Sequence, residues 1–118
     1  MSNNCRDKSV LQHMIDYCRQ IEETCGCMRD ADRVKDHVYK NALSMCVLQI
    51  GELVSVLSDE FKLAHMEIPW RDVKAMRNIM AHSYGTVDDE LLMNTVKEDI
   101  PALKDFCVRC LEGWSKEN

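Results

Sequence analysis

Between Val34 and Phe61, the residues Val34, Val38, Ala42, Met45, Cys46, Gln49, Leu53, Val56 and Leu57 return at intervals that only an α-helix gathers onto one face. A helix of that length would span about 40 Å at about 1.5 Å per residue, enough to be the spine of a bundle. Such a length argues against a compact α/β fold, and no segment reads convincingly as a strand.

The same period recurs on both sides of this run. Val10, Leu11, Met14, Ile15, Cys18 and Ile21 predict a first helix from Asp7 to Cys25, with Asp7 or Ser9 offering the N-cap and Gly26 the stop. Pro69 is suited to the first turn of a third helix, which should fade near Tyr84-Gly85. Asp88 is placed to cap a fourth helix through Leu91, Leu92 and Val96. Pro101 opens a fifth, carrying Ala102, Leu103, Phe106, Cys107, Cys110 and Leu111. The expectation is an all-α fold, an antiparallel bundle of four to five helices making a single domain over residues 1–118.

Composition narrows the function. With 46% apolar against 30% charged residues the chain should be globular. A net charge of −5 weakens any claim of a broad basic surface tracking nucleic acid, so any RNA contact is expected to be local. The opening residues carry no apolar run, and no stretch reaches the roughly 18 apolar residues of a membrane span, so a cytoplasmic, membrane-free protein is expected. The cysteines number seven, an odd count, and read as reduced thiols filling the core. A zinc site from Cys107-x2-Cys110 and Cys25-x-Cys27 is disfavoured by the spacing of the second pair, and no metal or cofactor is expected. His13, His37 and His65 read as solvated residues.

The run Arg77-Asn78-Ile79-Met80-Ala81-His82-Ser83-Tyr84 carries the chemistry. On a wheel at about 100° per residue with Arg77 at zero, Ile79, Met76, Met80 and Val73 occupy an arc from about 200° to about 320°, expected to face the core. Tyr84 at about 340°, Ala81 at about 40°, Asn78 at about 100° and His82 at about 140° make the polar arc. Arg77 and His82 stand about 140° apart and do not share a face. The reach of the arginine, distortion of the helix end before Gly85, or a second copy of the helix across a two-fold axis would bring them together, and a second copy combined with the arginine's reach is favoured.

These residue types suit RNA phosphodiester cleavage without a metal. Histidine carries protons near neutrality, and arginine holds a phosphate through paired hydrogen bonds and opposes its growing charge. Asn78 is placed to orient the ring or the substrate. Glu52, inside the apolar run Ile50-Gly51-Glu52-Leu53-Val54, needs a partner if buried, and Arg77 or a backbone donor is expected to supply one. The same arginine and histidine also read as an ion-pair partner and a helix-end charge, so spacing alone does not identify a nuclease.

A longer pattern is more specific. Asn41-Ala42-Leu43, Ile50-Gly51-Glu52, Glu67-Ile68-Pro69-Trp70-Arg71, Arg77-Asn78-x3-His82-x-Tyr84, Val87-Asp88 and Thr95-Val96-Lys97-Glu98-Asp99-Ile100-Pro101-Ala102-Leu103 together resemble the HepT-like toxin family of the HEPN superfamily. The resemblance implies a dimeric helical bundle with metal-independent ribonuclease activity, in which Arg77 and His82 are catalytic and Asn78 is the polar residue after the arginine. It also implies RNA as substrate and a minimal nucleotidyltransferase antitoxin as partner, which in some systems adenylylates the tyrosine that Tyr84 matches. A nucleotide on Tyr84 would place bulk and negative charge beside Arg77, where RNA phosphate should bind. A second reading is a non-catalytic module that docks a nucleotidyltransferase and presents Tyr84 or a nucleotide pocket to it. A third is a purely structural bundle.

Overall fold

The computed structural model describes residues 3–27, 37–82 and 88–117, and among them every regular element is helical. In chain order these are α1 (Asn3–Cys27), α2 (His37–Val56), α3 (Asp59–Ala64), α4 (Trp70–His82), α5 (Asp89–Asn94) and α6 (Ile100–Glu117), with a π-helical turn at Thr95–Asp99 between the last two. The all-α expectation therefore holds.

Asp7 does not cap its own helix. α1 starts at Asn3, and Asp7 lies within it, buried at 3% exposure. Its Oδ1 accepts a hydrogen bond from the Ser58 backbone N–H at 2.8 Å, and its Oδ2 accepts one from Ser58 Oγ at 2.6 Å. Ser58 Oγ in turn accepts from Phe61 N–H at 3.1 Å, which makes Ser58 the N-cap of α3. Ser9, the other expected cap, is an exposed residue inside α1, and Gly26 falls within its last turn rather than after it.

This network corrects the long central helix. The periodicity predicts an unbroken run from Val34 to Phe61, but α2 ends at Val56 and Ser58 takes an extended ψ of 152° before α3 begins. The apolar spacing persists across the break because Leu57 and Phe61 remain buried on either side. What ends the helix is competition: the Ser58 N–H is committed to the Asp7 carboxylate. Val34 lies outside the described residues.

Pro101 brings the opposite correction. The sequence predicts two separate helices around it, yet α5, the π-turn and α6 run on without a break. Proline cannot donate to the carbonyl four residues back, and its ring crowds that carbonyl. The wider π-turn just upstream, where Ile100 N–H reaches Thr95 O, makes room for the ring. Asp88 caps α5 as expected, its carboxylate accepting from Leu91 N–H at 3.0 Å.

Helix directions follow from side-chain pairs. Asp7 near the start of α1 meets Ser58 just past the end of α2, and Glu22 near the end of α1 pairs with Lys104 near the start of α6, so α1 runs antiparallel to both. Leu11, Met14, Cys18 and Ile21 of α1 share one core with Leu43 and Ile50 of α2, Met80 of α4, Leu92 of α5, and Leu103 and Cys107 of α6. No helix among the described residues is long and apolar enough to cross a membrane.

At one end of the bundle His65, Trp70, Phe106 and Trp114 gather around Phe61. The expectation of a solvated His65 is corrected: its ring lies 4.5 Å from that of Phe61 and 5.2 Å from that of Phe106. Trp70 Nε1 donates to the carbonyls of Lys62 and His65, both at 3.1 Å, which fixes where α4 begins. His13 and His37 are exposed, as expected.

Cys18, Cys46 and Cys107 fill core space, Cys25 and Cys110 are half-buried, and Cys5 is exposed. Burial pushes the Cys18 and Cys107 thiols up from 9.0 to about 12, so both remain protonated at neutral pH. Once unfolded they ionise near 9.0, so above that pH the folded state binds more protons and stability falls as pH rises.

Two outcomes are expected. Asp7→Ala leaves the buried Ser58 N–H without its partner and should cost about 1–3 kcal/mol, read as a lower urea midpoint with an unchanged slope. Mass mapping after alkylation of the native protein at pH 8 should find Cys5 modified and Cys18 and Cys107 untouched until denaturant is added.

Candidate active site

α4 lies against α2 at an unusually close crossing. Gly51, buried in the interior of α2, faces the backbone of Arg77, and a Cβ built on it would overlap Arg77 Cβ and stand 3.3 Å from Arg77 Cα. The contacted atoms, Cα, Cβ and Cγ, lie on or next to the main chain rather than at the far end of the side chain, so the helices themselves would have to shift. A helix-interior glycine costs roughly 1 kcal/mol relative to alanine. Here it lets two helices approach where any larger residue would hold them apart.

That approach delivers a specific pairing. Glu52, the next residue on α2, receives Arg77 Nε at 2.6 Å and Nη2 at 2.5 Å on a single oxygen, Oε1. Arg77 Nη1 donates to Asn78 Oδ1 at 2.9 Å. The arginine is one of the two partners expected for Glu52, and it is the one found. The side chains are 31% and 45% exposed, so the pair is half in water rather than buried as the apolar run around Glu52 suggests.

A guanidinium has five N–H donors. The Nε N–H donates to Glu52, Nη2 is ion-paired with the same oxygen and one Nη1 N–H donates to Asn78, so among the described residues at least one N–H on each terminal nitrogen has no acceptor. Two such donors on neighbouring nitrogens match the two oxygens of a phosphate.

The wheel is largely realised. Met80 is fully buried, and Val73 and Met76 pack against the core. Ile79, placed at the edge of the apolar arc, is 38% exposed, because the arc that meets α2 is narrower than the apolar sequence pattern. His82 closes α4 about 7.5 Å along the axis from Arg77. The His82 side chain, Tyr84 and Gly85 lie outside the described residues. The site as described is thus Arg77, Asn78 and Glu52, with His82 placed by its backbone at the end of the same helix.

Sequence reasoning missed two features. Gly51 entered it only as a neighbour of Glu52 and within the family pattern, although a lone glycine inside a helical run is itself a signal of close backbone approach. Arg71 and Lys74 drew no separate notice, yet both are exposed, and with Arg77 they recur every three residues along α4. On the wheel they fall at about 120° and about 60°, inside the polar arc, whereas Asp72 falls at about 220°.

Asp72 borders a separate feature, a cavity of about 240 Å³ between α4, α2 and the π-turn. Its walls include Val47, Ile50, Val73, Met76 and Leu103, with Asp99 the other carboxylate. Among the described residues, no group of three or more His, Cys, Asp or Glu is arranged to hold a metal ion.

The chain belongs to the ribonuclease HepT-like family, whose pattern matches residues 14–110. It is 36% identical over 97 residues to "Probable ribonuclease HepT" of Thermococcus cleftensis, an alignment covering 82% of this chain and 88% of that one. It is 31% identical over 97 residues to "Putative RNase TTE0752" of Caldanaerobacter subterraneus subsp. tengcongensis, covering 82% and 87% respectively. No solved structure matches the chain.

Gly51→Ala should separate α2 from α4 and shift the guanidinium. We expect a stability loss of about 1–3 kcal/mol from overpacking and a fall in activity on the order of 100-fold. Thermal unfolding and RNA cleavage by the folded variant check the two effects separately, and an unchanged rate would contradict the crossing as the site's support.

Proposed function

We propose that this chain is a metal-independent endoribonuclease of a toxin–antitoxin pair, acting as a homodimer with Arg77 and His82 as its catalytic residues. The observation that carries this reading is the Arg77 guanidinium, held by Glu52 and Asn78 with, among the described residues, an N–H on each terminal nitrogen that has no acceptor and could meet a phosphate. Membership of the ribonuclease family and the names of the relatives support the same reaction.

In the reaction the substrate's 2′-hydroxyl loses its proton as its oxygen bonds to the adjacent phosphorus. The bond from phosphorus to the 5′-oxygen breaks, and that oxygen takes up a proton. The products are a 2′,3′-cyclic phosphate and a 5′-hydroxyl. His82 is the proton carrier, and Arg77 stabilises the charge accumulating on the non-bridging oxygens. Glu52 positions Arg77 rather than touching the substrate.

Dimerisation is supported by the angular problem on α4. Arg77 and His82 stand about 140° apart, and a two-fold axis beside α4 lets one chain's arginine face its partner's histidine. Met45 and Val56, at 43% and 45% exposure, flank Glu52 along one stripe of α2 and offer apolar area for such an interface. A minimal nucleotidyltransferase that adenylylates Tyr84 is the proposed antitoxin, because an added nucleotide brings negative charge to an arginine awaiting phosphate.

Complementation tests the composite site. Arg77→Ala and His82→Ala should each lose roughly 100-fold or more in cleavage of single-stranded RNA in EDTA. Mixing the two variants under subunit exchange should restore roughly a quarter of wild-type activity, since half the dimers are mixed and each holds one intact site. No restoration despite verified exchange would mean that each site is built within one chain, and an inactive wild-type dimer would remove the ribonuclease reading.

A further inference from the structure

Arg71 and Lys74 are exposed on α4, and neither forms an ion pair among the described residues. Lys40, Lys104 and Arg109 each face a carboxylate on their own or a neighbouring helix, and the other described cations without an ion pair, Arg6, Lys8, Lys62 and Lys97, lie on other elements than α4. Two cations left free on one face of a chain with a net charge of −5 are a local exception to its overall charge. Their placement is ordered as well. Arg71, Lys74 and Arg77 occupy an arc of about 120° and a line of about 9 Å along the helix. Asp72, the only acid of α4, lies outside that arc and lines the cavity on the other side of the helix.

From this segregation we propose that Arg71 and Lys74 form a phosphate track that continues the site from Arg77, holding the backbone of single-stranded RNA on one side of the scissile bond. The proposal rests on the ribonuclease reading and extends it to the form of the substrate. Arginine and lysine on long flexible stems are suited to phosphate contacts that fix register without reading base identity. One helix-wide line of cations can follow one strand, whereas a duplex presents two backbones and favours charge spread over a broader surface than one helix face offers. The track also explains how an acidic protein holds an acidic polymer: attraction is confined to the helix that bears the catalytic arginine.

Salt dependence counts the contacts. For single strands the slope of log affinity against log salt is about −0.7 per phosphate neutralised. Anisotropy of a labelled 12-nucleotide single strand, bound to His82→Ala so that cleavage does not intervene, should therefore give a slope shallower by about 1.4 when Arg71→Ala and Lys74→Ala are added. Both positions are exposed and alanine favours helix, so the fold should survive, as circular dichroism would check. Arg109→Ala, on α6, is the control and should leave the slope unchanged.

In the active protein, Arg71→Ala with Lys74→Ala should raise KM for the oligonucleotide more than for a dinucleoside monophosphate, which has a single phosphate to engage. An unchanged salt slope overturns the track. A slope that also falls with Arg109→Ala shows a diffuse charge effect and overturns it equally. Equal affinity for a hairpin duplex of matched length overturns the single-strand assignment. If wild-type protein cleaves nothing yet the slope shifts as expected, the track stands and the ribonuclease reading fails.

Discussion

The close crossing of α2 and α4 at Gly51 is the constraint on which the site depends. Without a side chain there, the two helices meet backbone to backbone, and the residue beside the glycine, Glu52, comes within hydrogen-bonding distance of the residue opposite it, Arg77. Main-chain contact sets the geometry, so the guanidinium is located by packing before its hydrogen bonds form. An ion pair exposed to this degree is worth at most about 1 kcal/mol to stability. Its weight lies in direction: Glu52 meets the Nε and Nη2 edge of the arginine and, among the described residues, leaves donors on both terminal nitrogens without an acceptor.

The rest of the fold serves to place α4. Its first residue, Trp70, is tied through the indole N–H to the carbonyls closing α3, and α3 itself exists because Asp7 captures Ser58. A chain of hydrogen bonds thus runs from the first turns of α1 to the start of the helix bearing the arginine. Met80 anchors the far end in the core. Between these fixed points one flank of α4 borders a cavity of about 240 Å³, so the helix is held at its ends and at Gly51 rather than along its whole inner face. The support is thus firm at the arginine and less dense on the cavity flank.

What the sequence reveals follows from which physical signals are local. Helical periodicity and the Asp88 cap depend on neighbours within a turn or two, and both are legible. The pairing of Glu52 with Arg77 is legible because a carboxylate in an apolar run demands a cation or a donor. Asp7 misleads for the same reason that it matters: its partner lies 51 residues away, and a side chain able to cap locally gives no sign that it caps at a distance. Pro101 reads as a helix opening because proline's usual effect is local, whereas a π-turn one step earlier removes the conflict. His65 reads as solvated because aromatic partners from α3 and α6 meet it only in the folded chain.

On the proposed reading, charge governs how a phosphate reaches this site. A phosphate approaching Arg77 meets a cation already partly balanced by Glu52, which weakens attraction at the position where it is most needed. Two remedies are available to a chain of net charge −5: reduce the acidic charge near the site, or add cations beside it. On α4 both are visible, since its one acid is turned to the cavity side while Arg71 and Lys74 stand free on the polar arc. Orientation by Glu52 and attraction by the flanking cations then divide the work that one unpaired arginine would otherwise do alone. An unpaired arginine would bind phosphate more strongly but in many poses. A paired one, with attraction supplied from its neighbours, binds in few, and few poses favour an in-line reaction.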